Sequence, residues 1–180
     1  MRRRVLTVAA ILGFTAPLGR AWGDTSLEYA VKAAYLPKFV PFITWPDTAF
    51  ASPTAPVTIC VLGDDPFGGR LTQAASATTS GDRAIVVHHL AGPDPSASCQ
   101  MLFLGSADPA VAEGTLQAMK GQPVVTVTDS DLKAHGIISF LIEANHVRFD
   151  IDDAAAAEDG LTISSKLLGL AHAVKQRGAR

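Results

Sequence analysis

Beyond its first two dozen residues this sequence has no run of lysine and arginine. It also has no apolar segment of 18 residues, no internal repeat and no coiled-coil heptad. Each absence removes a class. Without a long apolar run, nothing after the N-terminus reads as a membrane-spanning helix. Setting aside Arg2, Arg3, Arg4 and Arg20, eleven of the 15 basic residues remain against 17 acidic ones. That balance, with no basic run, disfavours nucleic acid and anionic lipid as partners.

Catalytic signatures are missing as well. There is no G-x-S-x-G elbow. Ser164-Ser165-Lys166 is not S-x-x-K, because Ile163 stands where a serine would be needed. Gly63-Asp64-Asp65-Pro66-Phe67-Gly68-Gly69-Arg70 follows an apolar run, as a phosphate loop would. It has no Lys-Ser/Thr pair after its last glycine, and its two aspartates would repel phosphate. The five histidines, His88, His89, His135, His146 and His172, include no H-x-x-x-H pair, so no metal site is expected. Glu143, Asp150, Asp152 and Asp153 could supply a carboxylate pair, but hairpin and helix-start positions explain all four. No cofactor and no enzyme activity are expected.

What is present begins with a leader. Arg2–Arg4 form a basic n-region, Val5–Ala16 an apolar stretch too short to span a bilayer, and Ala21-Trp22-Gly23 a small-x-small cleavage site. Residues 1–23 therefore read as a signal peptide, and residues 24–180 as one exported domain large enough to bury a core. The two cysteines, Cys60 and Cys99, then sit in an oxidising compartment, where an even count reads as one disulfide.

Along the mature chain, Thr25 and Glu28 fit a capping box, and Leu27, Val31, Ala34 and Tyr35 recur at helical spacing. A helix is expected from near Ser26, stopping or kinking near Leu36 before Pro37. Phe42, Ile43 and Trp45 form a dense apolar group, read either as core or as a partner-binding surface. Val57–Leu62 reads as a strand buried on both faces. Asp65 and Pro66 suit a helix start, giving a helix over Phe67–Ala75, with a polar loop over Ser76–Asp82. Strands are expected at Ala84–His88, Met101–Leu104 and Val124–Thr128. A helix capped by Asp108 and Pro109 should run to about Lys120, and Asp129–Ala134 is at most a short helix.

The C-terminal third changes pattern. Ile137–Ile142 and Val147–Ile151 are joined by four residues, Glu143-Ala144-Asn145-His146, which suits an antiparallel hairpin. Phe149 should point inward. Asp152 and Asp153 cap a short helix ended by Gly160, and Ser164 or Ser165 caps a final helix with Leu167, Leu168, Leu170, Ala171 and Val174 as its apolar stripe. The fold class is α/β: a mainly parallel sheet with helices on both faces, a C-terminal hairpin and a terminal helix.

Six blocks then carry a resemblance: Glu28–Val40, Phe42–Pro46, Ile59–Gly68, the segment Cys99-Gln-Met-Leu-Phe, Pro123–Asp129 and the stretch from Phe140 to Ala171. In this order they closely resemble the YfiR-like family. The resemblance implies a periplasmic α/β domain, often dimeric. It also implies a repressor that binds the periplasmic part of an inner-membrane diguanylate cyclase, and so controls cyclic-di-GMP signalling and biofilm formation. In some systems an outer-membrane lipoprotein relieves the repression. Similar domains also serve as sensors on histidine kinases, so a ligand-binding module serving a transporter or kinase is the alternative. Cys60 and Cys99 match the family's cysteines, which supports their pairing. A second pair found in some members is missing here.

Overall fold

The computed structural model of the protein describes residues 22–94, 97–105 and 108–178. The expected leader lies outside the described residues apart from its last two positions, which open a helix.

That helix, α1 (Trp22–Phe39), runs past both expected ends. Thr25 and Glu28 lie inside it rather than at its start. The Glu28 carboxylate instead accepts from Lys32 one turn on. Pro37 sits within the helix without ending it. A proline removes one N–H and restricts the residue before it, costs that packing can outweigh. Here Leu36, Phe39 and Val40 are all buried against the sheet, which offsets the lost bond. A tight turn with Pro41 at its start (Val40–Phe42) leads into β1 (Ile43–Thr44).

The main sheet then builds up: β2 (Val57–Leu62), α2 (Gly69–Ser76), β3 (Thr79–Ser80), β4 (Arg83–Leu90), β5 (Met101–Leu104), α3 (Pro109–Met119), β6 (Val125–Thr128), β7 (Ile138–Glu143) and β8 (His146–Asp152). After α4 (Asp153–Glu158) come β9 (Thr162–Ile163), a single helical turn α5 (Ser165–Leu168) and β10 (Val174–Lys175). The sheet order is β10-β8-β7-β6-β5-β2-β4-β3. The strands from β4 through β7 are parallel, and β8 turns back antiparallel on β7. β1 and β9 form a separate antiparallel ladder with Ile43 opposite Ile163.

Both faces of the sheet are covered, as the buried run of β2 requires. Ile59 and Val61 face the α1/α2 layer, with Leu36, Phe39 and Leu71 packed in the same cluster. Cys60 and Leu62 face the α3 layer with Leu102, Leu104 and Ala112. A strand's alternation assigns these two sets to opposite sides. Phe149 is buried and sits edge-on to Phe39, 4.9 Å between ring centroids.

Several expected details change. Asp65 does not cap α2: its carboxylate accepts from the Phe67 N–H in the preceding turn, and the cap position is Gly68 at φ 57°. The loop over Ser76–Asp82 contains β3, which pairs with the start of β4. The stretch after β6, expected to be at most a short helix, forms turns and delivers the chain straight to the next parallel strand. Gly136 allows this close passage. A Cβ there would lie 2.6 Å from the Thr126 carbonyl oxygen. The hairpin turn has two residues rather than four, with Ala144 at φ 46° and Asn145 at φ 61°, the left-handed pair that suits strand twist. Beyond Leu168, the expected apolar stripe is not helical. Leu170 is exposed and Val174 joins β10 beside β8.

Candidate functional site

The disulfide is in place. Cys60 and Cys99 are bonded with their Cα atoms 5.8 Å apart, inside the reach of the bond. The parallel pairing of β2 with β5 makes this possible: Cys60 is level with Leu102, and Cys99 lies just before β5. The bond anchors the loop between β4 and β5 to the α3 face of the sheet.

Of the apolar group at the end of α1, Ile43 and Trp45 are buried in the core. Ile43 faces Ile163 across the small ladder. The Trp45 indole N–H donates to the Gln100 carbonyl at 3.0 Å, satisfying the one polar atom its burial would strand. A surface role for those two is therefore corrected to core packing. Phe42 is half-buried, and among the three it alone keeps surface.

The four carboxylates singled out in the sequence are engaged at the C-terminal edge. Asp152 caps α4 by accepting from the Ala155 N–H and also accepts from Lys175 at 2.8 Å. Asp153 takes a forked pair of bonds from Arg177, at 2.8 and 2.9 Å. Asp150 and Glu143 flank His172, at 3.0 and 3.6 Å. These contacts fasten the chain's last strand to β8 and α4. Partial burial opposes ionisation of Asp152. The Lys175 ammonium and the Ala155 amide overcome it and hold the carboxyl below its ordinary range. The same bond to Asp152 raises the Lys175 pKa. Among the described residues no group of three or more His, Cys, Asp or Glu could hold a metal ion.

Sequence reasoning missed three features. The first is Lys32, fully buried on α1, whose ammonium donates to Asp129 and Glu28 and lies 4.8 Å from the Tyr29 ring centroid. Burial, followed by the nearby Asp129 carboxylate, pushes the Tyr29 hydroxyl pKa up. A lysine on an amphipathic helix normally reads as surface, and only its position over the end of β6 reveals otherwise. The second is a groove of about 420 Å3 between α1 and the tip of the β7–β8 hairpin. Leu27, 67% exposed, and Ile142, 43% exposed, both line it, leaving apolar surface open to a partner. The third is a cavity of about 750 Å3 beside the disulfide, on the α3 face. No helix among the described residues is long and apolar enough to cross a membrane.

A family model described as YfiR/HmsC-like matches residues 29–172, from the first turns of α1 to the C-terminal strap. No curated protein sequence matches the chain.

Proposed function

The chain belongs to the YfiR/HmsC-like family, and on that premise we propose that it is a non-enzymatic periplasmic regulator. It binds the periplasmic part of an inner-membrane diguanylate cyclase, restrains it, and so lowers cyclic-di-GMP signalling and biofilm formation. The observation that carries this reading is the extent of the family match, which takes in α1, the disulfide region and the C-terminal hairpin together. The engagement of the candidate carboxylates in caps and ion pairs is consistent with it. The leader-like residues 1–23 support export, and an oxidising compartment suits the Cys60–Cys99 bond. Apolar side chains available for such a contact include Phe42 and, in the groove beside α1, Leu27 and Ile142. Homodimer formation and a lipoprotein that relieves repression belong to the same reading.

Complementation of a gene deletion tests it. The exported chain should restore low biofilm and normal swimming, and a version lacking residues 2–23 should fail because it never meets the periplasmic partner. Full rescue by the cytosolic version would overturn the proposal.

A further inference from the structure

The crossovers that follow β2 and β5 each carry a helix, α2 and α3. The described residues of the crossover from β4 to β5 form no helix. Crossover helices are what roof a sheet of this kind, so one part of the α3 face has no helical cover. The 750 Å3 cavity lies there. Leu62 and Leu102 of the sheet, Val111 and Met119 of α3, and the disulfide residue Cys99 line it. Pro93, Asp94, Ala97 and Ser98 of that crossover line the cavity next to the disulfide, which ties Cys99 to the sheet.

We propose that this cavity binds an uncharged, mainly apolar small molecule. Its volume is in the range of small-molecule pockets. No Lys, Arg or His is among the described residues that line it, and its charged side chain is the exposed Asp94. An anionic group buried there would lose its water and find no cation among the described lining residues, which disfavours nucleotides and phosphates. The buried polar residues of the wall make no demand on the ligand either. The Gln100 side chain accepts from the Thr58 N–H at 2.8 Å and donates to the Ala49 carbonyl at 2.6 Å. The Thr115 hydroxyl donates to the Val111 carbonyl at 2.7 Å. What remains for the ligand is apolar surface, with the hydroxyls of Thr48 and Ser98 and the amide of Gln122 at the exposed rim. The site is independent of the cyclase reading, because no part of it requires the partner.

The test is titration of the purified, oxidised protein with Nile red, an uncharged apolar dye, with 1-anilinonaphthalene-8-sulfonate as the anionic comparison. Gly114 lines the cavity, and a Cβ built there meets no atom within 4 Å. Gly114→Phe therefore fills the cavity from α3 without a clash at its root. The wild type should bind Nile red saturably at one site and the anionic dye far more weakly. Gly114→Phe should weaken Nile red at least about tenfold without lowering the melting temperature. If that variant fails to fold, Val111→Asp, at an exposed position of the wall, should give the same loss by placing a carboxylate there. No saturable Nile red binding, equal binding by the folded variants, or tighter binding of the anionic dye would each overturn the proposal.

Discussion

Lys32 and Asp129, 97 positions apart in sequence, form an ion pair in which neither side chain keeps any accessible surface. The pair pins α1 to the end of β6. Asp129 spends one carboxylate oxygen on Lys32 and the Ser130 N–H, while its other oxygen, Oδ2, has no hydrogen-bond partner among the described residues. Removing the cation would leave a buried carboxylate with little compensation, a change that costs about 3–5 kcal/mol. Lys32→Met should therefore destabilise strongly in urea unfolding. The double variant Lys32→Met/Asp129→Leu should recover much of the loss. Equal stability of Lys32→Met and wild type would show that the pair is not buried as described.

Ala144 is the non-glycine residue of the hairpin turn least suited to its backbone, at φ 46°. A left-handed conformation costs an ordinary residue roughly 1–2 kcal/mol, and glycine escapes most of it. Ala144→Gly should raise the melting temperature, with a gain of up to about 1 kcal/mol after the glycine's extra unfolded-state entropy. A lower melting temperature would mean that the turn is not of this type.

The C-terminal strap should respond to pH at both ends of the scale. The Asp152 pKa is lowered in the fold from its ordinary 3.8, so its contribution is complete above that value and is lost as pH falls through the lower folded one. The Lys175 pKa is raised from 10.5, so its contribution is complete below that value and is lost as pH rises through the higher folded one. Amide exchange at Val174 and Lys175 should therefore be slowest, after correction for intrinsic rates, between these limits. Asp152→Asn should flatten the acid limb. An acid limb that survives Asp152→Asn would assign it to another group.

The Cys60–Cys99 bond closes a separation of 39 residues, worth about 4 kcal/mol in the chain-entropy account. Free-thiol titration of the denatured, non-reduced protein should find no reactive thiol, and reduction should lower stability by up to that amount. Two reactive thiols per chain would refute the pairing.

The sequence made legible those elements whose pattern is local. Val57–Leu62 and Met101–Leu104 are apolar but for Thr58 because both of their faces are covered, and their position in a parallel sheet followed from that. The Asp108-Pro109 helix start was equally plain, since Asp108 caps through the Ala110 N–H. What escaped depends on contacts distant in sequence. The continuation of α1 through Pro37 is decided by burial of Leu36 and Phe39. β10 exists because β8 offers it an edge, and three basic side chains meet acidic partners there. The roof gap over Leu62 and Leu102 could not be read from any single segment, because it arises from a crossover whose described residues form no helix. Trp45 could be read as core or contact until its indole was found on the Gln100 carbonyl.

Restraint of a diguanylate cyclase from the periplasmic side is the activity proposed for the protein. Its most direct measurement is intracellular cyclic-di-GMP, quantified by mass spectrometry, in wild-type cells, the gene deletion and the deletion carrying the exported chain. Cyclic-di-GMP should rise on deletion and return to the wild-type level on complementation. An unchanged cyclic-di-GMP level in the deletion, under conditions where the exported protein is shown to be present in the wild type, would contradict it.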